Sequence, residues 1–317
     1  MKKILVVQYS QTGQLSDVVA SICRPLEDAE AVELVVETLE PEQTFPYPWS
    51  FFSFLDVFPE CVALDPPPIK PLSVSSSEEF DLIILAYQVW FLAPSLPITA
   101  FLKSRAANQL LRDKPVITVI GCRNMWSRAQ ETMKQLLSDC GARLLDNVVL
   151  TDQGSALASF VTTPRWLLTG KKAAFWRFPP AGISQPDIHA ACRFGKAIEA
   201  ALARDLEQGD RPLLYGLKAV EADISQIQSE KAGYRSFKVW GKLIRKVGQQ
   251  GDARRIPVLT VYVVFLILMI VTIVPLAMLL KKLLVPLMRE RHRQSKAYYE
   301  APSGSGSERM AMFGCTK

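Results

Sequence analysis

Two stretches, "DLIILAY" and "PVITVIG", constrain this chain more than any others, because they are apolar at consecutive positions. A strand with that pattern is covered on both faces, as strands are in a parallel sheet held between helical layers. Five such short runs fall at Lys3–Tyr9, Val32–Leu39, Phe80–Tyr87, Pro115–Gly121 and Leu144–Thr151. Helical patterns lie between and after them, near Leu15–Glu27, Pro97–Ala107, Ser127–Asp139 and Ile188–Arg204. The alternation predicts an α/β fold over residues 1–205: three layers around a doubly wound, five-stranded parallel sheet.

The formal net charge of +6 hides an asymmetry. From Lys231 onward there are sixteen Lys/Arg against four Asp/Glu, a net of +12, which leaves the first 230 residues at −6. An acidic head with a basic tail gives no reason to expect nucleic acid on the head. The six cysteines form no C-x-x-C, and with only His189 and His292 no metal centre is expected. The opening "MKKILVVQYS" has too short an apolar run for a signal-peptide core. The head is therefore expected to be cytoplasmic, with reduced cysteines.

Residues 206–255 read as a polar stalk with a helix around Gly216–Gln228. A basic, aromatic juxtamembrane stretch follows at Tyr234, Phe237 and Trp240, suited to anionic lipid headgroups. Residues 256–280, "IPVLTVYVVFLILMIVTIVPLAMLL", carry no charge. As a helix they run about 38 Å, enough to cross a hydrocarbon core of about 30 Å. The expectation is a single transmembrane helix in the inner membrane with the head cytoplasmic, although a re-entrant or in-plane arrangement fits the flanking charges too. Residues 281–317 read as basic, then disordered.

The junction "YSQTGQL" raises the chemical question. Ser10–Leu15 joins the first strand to the first helix, where backbone N–H groups and the helix dipole favour a phosphate. Neither G-x-G-x-x-G nor G-x-x-x-x-G-K-[ST] is present, which disfavours NAD or ATP at this loop. A plain turn before a helix uses the same residues. Beyond that, "YSQTGQL" resembles the phosphate loop of flavodoxins and flavodoxin-like quinone reductases, roughly [ST]-x-T-G-x-[ST]. Ser10, Thr12 and Gly13 match it; Leu15 stands where a hydroxyl is expected. "YQVWFLAPSLPITAFLKS" and "GCRNMWSRA" resemble the two ring-flanking segments of that family. The resemblance covers residues 1–205 and implies FMN as cofactor. Its phosphate would lie on Ser10, Gln11, Thr12, Gly13, Gln14 and Leu15. Its ring would lie against Gln88, Val89, Trp90 and Phe91 on one side, and Cys122, Arg123, Asn124, Met125 and Trp126 on the other.

Two aromatic insertions, about 44–60 and 152–186, leave the carboxyl ends of strands on the cofactor side. In "FPYPWSFFSFLDVF" seven of fourteen residues are aromatic. Trp49, Phe51, Phe52, Trp166 and Trp176 are expected to form a lid for a hydrophobic substrate, or else the insertions pack on each other or on a second subunit. With the first insertion and the apolar C-terminal segment, the chain is similar to a narrower group, the dialkylresorcinol condensing enzymes or cyclohexanedione aromatases of bacterial lipid-pigment pathways. That likeness implies oxidation of an alkylated cyclic diketone, with a ketosynthase as a pathway partner. No Ser/His/Asp triad or paired-carboxylate motif is evident. Tyr87 and Arg123, with Gln88, are the candidates to touch substrate oxygens. An NAD(P)H-dependent quinone reductase, a dimer by analogy, and a tethered electron carrier are the competing readings.

Overall fold

The structure, a computed structural model, describes residues 1–272 and 289–315, with the backbone alone at 156, 157 and 289–292. The central sheet joins β1 (Lys2–Gln8), β2 (Val32–Thr38), β3 (Leu82–Trp90), β5 (Pro115–Cys122) and β6 (Arg143–Thr151), all parallel, in the order β2-β1-β3-β5-β6. The two-residue β4 (Ala93–Pro94) folds back antiparallel on the end of β3. Strand order reverses between β1 and β3, and this switch opens a crevice at their carboxyl ends, where such sheets hold ligands. Right-handed crossovers put α1 (Gln14–Glu27) and α9 (Cys192–Leu202) on one face, and α4 (Leu96–Leu102), α5 (Arg105–Leu110) and α6 (Ser127–Asp139) on the other. Helices α1 and α9 approach closely at Gly195, where a Cβ would lie 1.9 Å from the Ile22 carbonyl oxygen.

The five expected parallel strands hold. Two expected helices are each divided: Ser104 accepts from Ala107 N and starts α5 as a separate helix, and α8 (Gln185–Ala190) precedes α9.

The expected stalk is part of the head. Residues 213–222 run along β6, the sheet edge, with Val149 N donating to the Ala219 carbonyl at 2.9 Å. Leu213, Leu214, Leu217, Ala219 and Val220 are buried there. The helix expected around Gly216–Gln228 begins only at Ile224, as α10 (Ile224–Val247), with Asp223 accepting from Ser225 N. Asp146 anchors this cover. At a register shift in β6 its carboxylate accepts from Leu213 N (2.7 Å), Leu214 N (3.2 Å) and Ser303 Oγ (2.6 Å).

Ser303 belongs to the tail expected to be disordered. That segment instead follows α12 (Arg289–Glu300) back onto the head: Lys218 N donates to the Gly306 carbonyl at 2.6 Å and Val220 N to that of Gly304 at 3.2 Å. Its Ser and Gly residues, which read as linker composition, are small enough for one backbone to run beside another. Cys192 and Cys315 form a disulfide, so the expectation of reduced cysteines holds for Cys23, Cys61, Cys122 and Cys140 alone.

The expected transmembrane helix is also corrected. Helix α11 spans Arg255–Val271, and residues 273–280 of the expected span lie outside the described residues. Among the described residues, no helix is long and apolar enough to cross a membrane. One face of α11 is packed on the head. Arg255 is 1% exposed and pairs with Asp56 (3.1 Å) and Glu60 (2.7 Å), and the Tyr262 ring lies tilted 4.7 Å from that of Phe58. The tail beyond it returns to the same body, which a single crossing with head and tail on opposite sides does not allow. The carboxylates that hold α11 sit in α2 (Phe51–Leu55) and α3 (Phe58–Ala63), or between them, some 200 residues earlier in the chain. A hydropathy reading of 256–280 has no access to them.

Two consequences are measurable. Burial raises the Asp146 carboxyl to about 6 against the pull of its three hydrogen bonds. A folded value above the unfolded value of about 3.9 means that the folded state binds the extra proton between these pH values, so this group's contribution to stability declines as pH rises from about 4 to 6. Denaturant unfolding of wild type and Asp146→Asn is therefore expected to show wild type losing about 2 kcal/mol relative to the variant across that window. Arg255→Ala leaves Asp56 and Glu60 facing each other without a cation and is expected to cost about 3–5 kcal/mol in the same assay.

Candidate functional site

A cavity of about 160 Å³ opens at the switch crevice, walled by the loops after β1, β3, β5 and β6 and roofed by both insertions. Gly13, the N-cap of α1, has φ +80° and no atom within 4 Å of where a Cβ would stand. It contributes no side-chain cap. Among the described residues, the backbone N–H groups of Thr12, Gly13, Gln14 and Leu15 have no acceptor, and the Ser10 hydroxyl is buried without a partner. Buried polar groups are nearly always satisfied, so this cluster of free donors is the feature that an anion would complete.

The loop is fixed from its sides. Gln11 N donates to Gln88 Oε1 at 3.0 Å, and the Gln11 amide donates to the carbonyls of Phe45 and Pro46 in the first insertion. Gln14 is turned inward and exchanges two bonds with Ile183, Nε2 to the carbonyl at 3.1 Å and Oε1 from N at 2.9 Å. Leu15 is buried beneath the cavity, its Cδ1 3.1 Å from where a Cβ on Gly121 would lie. The missing hydroxyl is thus a packing group that holds α1 to the end of β5.

After β3 the chain turns sharply through Phe91 (φ +49°) and Leu92 (φ +64°) into β4. Left-handed backbone at two successive non-glycine residues costs about 1–2 kcal/mol each and is a form of strain that collects at binding sites. Trp90 is boxed edge-on by Tyr9 (5.9 Å), Phe45 (5.0 Å) and Trp49 (6.0 Å).

Of the residues expected at the cofactor, Gln11, Thr12, Gln14, Leu15, Gln88, Val89, Trp90, Phe91, Cys122 and Arg123 line the cavity. Ser10 and Gly13 lie in the same loop just outside its wall. Asn124, Met125 and Trp126 do not line it. Glu230 of α10 explains this, since it accepts from Ser127 Oγ (2.7 Å) and Arg128 N (2.8 Å). It caps α6 from outside and seats Trp126 in the core, 3% exposed. Tyr87 is corrected as a substrate candidate: it is fully buried and its hydroxyl donates to Gln130 Oε1 at 2.6 Å, inside the core.

Arg123 stays on the wall. Its guanidinium lies 4.0 Å over the Phe160 ring, and burial lowers its pKa while the nearby Asp152 carboxylate opposes that shift. Among the described residues, only its Nε makes a hydrogen bond, to Asn124 Oδ1 at 3.3 Å. Burial pushes the Cys122 thiol up.

The lid residues divide. Trp49 and Trp166 line the cavity with Phe54, Val57 and Leu167, whereas Phe51, Phe52 and Trp176 point away into solvent. The two insertions also pack on each other, Trp49 N donating to the Leu167 carbonyl at 2.9 Å. Sequence reasoning missed Asp152, Gly182, Ile183 and Thr163. Asp152 accepts from Gly182 N (2.5 Å) and Gly154 N (2.6 Å), pulling the second insertion over the crevice. The Thr163 hydroxyl is a second buried group without a partner on this wall. The Asp-x-Gly directly after the last strand was the available signal for the first of these.

No protein-family model and no curated protein matches the chain. Among solved structures it is similar to an FMN-complexed flavoprotein of Lactobacillus acidophilus NCFM (18% identity, TM-score 0.38, covering 47% of this chain and 93% of that one). It is also similar to a flavodoxin from the domain Archaea (12%, 0.35, 64% and 99%) and to a flavone reductase (14%, 0.34, 65% and 64%). The assignment of the fold as flavodoxin-like rests on the strand order and the switch crevice of this chain itself.

Gly182 has φ +85°, and a Cβ there would lie 2.5 Å from Gln14 Oε1 and 2.9 Å from Trp166. Gly182→Ala is expected to break the Gln14–Ile183 exchange, costing about 1–3 kcal/mol in unfolding free energy, and to shift the fluorescence of Trp166. A variant with wild-type stability and emission would show that the roof is not held this way.

Proposed function

We propose that the chain is an FMN-dependent oxidoreductase acting on a hydrophobic ring compound, with the phosphate seated at Ser10–Leu15. The observation that carries this reading is the unpartnered donor set: a buried Ser10 hydroxyl and four free N–H groups at the start of α1, at the topological switch, beside a cavity walled by aromatic side chains. A phosphate dianion at that position gains from both the free N–H groups and the dipole of α1 without needing a lysine.

When bound, FMN supplies two-electron transfer to or from the ring of the substrate. The residues of the chain supply position and surroundings. Gln88 holds the loop by accepting from Gln11 N. Trp49, Phe54, Trp166 and Leu167 keep water from the cavity and offer an apolar surface to alkyl substituents. Arg123, whose terminal nitrogens make no hydrogen bond within the described chain, is the group placed to hold a carbonyl or enolate oxygen.

The finer reading is that the substrate is an alkylated cyclic 1,3-diketone, converted to a dialkylresorcinol by loss of two electrons and two protons. A cationic wall residue for the oxygen and an apolar roof for the chains support it.

Absorption spectroscopy of the purified full chain is the test. A flavin spectrum that bleaches on anaerobic addition of a dialkyl-cyclohexanedione supports the diketone reading. Bleaching with NAD(P)H alone moves the assignment to a quinone reductase, and failure to bind or reconstitute FMN removes the flavin altogether. Ser10→Ala deletes a hydrogen bond to a charged group and is expected to weaken FMN about tenfold or more by fluorescence titration, with little loss of fold stability.

A further inference from the structure

A second cavity, of about 300 Å³, lies on the far side of the first insertion, between α3 and α10. Its floor is Pro59, Val62, Ala63 and Gly241, and its rim is Lys238, Lys242, Arg245 and Lys246. Gly241 permits the close crossing, since a Cβ there would already touch the Pro59 backbone at 3.4 Å. The acid at this rim is Asp65, bound to Arg245 Nη2 at 2.5 Å. Lys238, Lys242 and Lys246 have no carboxylate partner among the described residues, and Arg245 Nη1 is buried with no acceptor. The groove is therefore cationic at its rim and apolar at its floor.

What lies beside it points to the kind of anion it suits. Successive residues of a helix are about 100° apart. Going round α10 from the lysines, the next residues are the exposed Val239 and Leu243, then Trp240, which packs on Tyr262 and Phe265 of α11. The outward face of α11 continues the surface with Val261, Val264, Ile267, Leu268 and Val271, each more than half exposed. Helix α2, which carries the exposed Phe51 and Phe52, contacts α11. No charged residue interrupts Ile256–Thr272. A cationic groove continuous with an exposed apolar strip is unlike a solvated surface and has the two-part chemistry of a lipid–water interface.

We infer that this surface seats the protein on an anionic phospholipid leaflet. The lysine groove takes a lipid phosphate, and the outward face of α11 lies in the plane of the interface without crossing it. The inference is independent of the flavin reading and uses none of its residues.

Vesicle flotation of the full chain tests it, comparing phosphatidylcholine vesicles with vesicles in which about a third of the lipid is phosphatidylglycerol. Binding is expected only to the anionic vesicles and is expected to weaken as salt rises from about 0.05 to 0.5 M. Each lysine near a charged leaflet contributes a factor of about five, so Lys242→Gln with Lys246→Gln is expected to weaken binding about 30-fold. Val264→Asp with Leu268→Asp is expected to abolish it at an unchanged unfolding midpoint, since both side chains face solvent. Equal partition onto neutral vesicles, or binding that ignores both variants, overturns the inference. So does saturation of the groove by inorganic phosphate without vesicle binding, or a lipid-free dimer that Val264→Asp converts to monomer.

Discussion

The pairing of Arg255 with Asp56 and Glu60 decides what kind of molecule this is. A guanidinium 1% exposed is tolerable only with its charge met, and burial alone would depress its pKa, but the two carboxylates together outweigh that and raise it. Its Nε also donates to the Gly248 carbonyl at 2.9 Å, while Asp56 accepts from Gly251 N at 2.6 Å. The turn from α10 to α11 is thereby fixed to the first insertion. Once this corner is fixed, α11 has to run along the head, and Leu259 and Tyr262 fall onto Phe58 and its neighbours. The aromatic density of the insertion, surplus to a sheet-and-helix core, is accounted for by that docking as much as by the cavity.

The cavity follows from a second constraint, the directionality of a parallel sheet. Every loop at the carboxyl ends of β1, β3, β5 and β6 converges on one edge, so an insertion after any of these strands, or between β2 and β3, reaches the same crevice. Polar side chains near the crevice are mostly engaged in holding this convergence: Gln11 to the first insertion, Gln14 and Asp152 to the second, Gln88 to the loop after β1. Among the described residues, the hydroxyls of Ser10 and Thr163, the N–H groups at the start of α1 and the outer guanidinium nitrogens of Arg123 remain without a partner. They are few, they are donors, and they frame an apolar space, which is the donor pattern an oxygen-rich ligand with an apolar body requires.

The parts of this arrangement legible in the sequence are those written in local pattern. Doubly covered strands appear as consecutive apolar residues, which is why "DLIILAY" and "PVITVIG" placed β3 and β5 to within a few residues. The loop "YSQTGQ" announced itself by hydroxyls around one glycine. Illegible were the features that depend on partners far along the chain. Tyr87 read as a site residue because it stands near a strand end, and Trp126 because its segment resembles a ring-flanking loop; only the Gln130 amide and the Glu230 cap, from α6 and α10, turn them inward. Residues 206–222 read as a polar stalk because their leucines are spaced irregularly, as a strand-edge cover allows. The tail read as disordered because nothing local in "PSGSGS" reveals that Asp146 needs the Ser303 hydroxyl. The uncharged run read as a span because hydropathy has no term for a face already claimed by Asp56, Glu60 and Phe58.

The first insertion joins these two stories. Along the short α2–α3 corner, Phe54 and Val57 turn toward the cavity, while Pro59 and Val62 turn toward the lysine groove, and Phe58 and Phe91 pack between them at 5.7 Å. Phe91 is one of the two strained residues at the end of β3, and it also meets Phe237 of α10 at 6.0 Å. Phe237 and Phe58 thus pack on the same turn that forms one wall of the cavity. The first insertion serves both surfaces because its short corner presents successive side chains to opposite sides, and Arg255 fixes that corner to the start of α11.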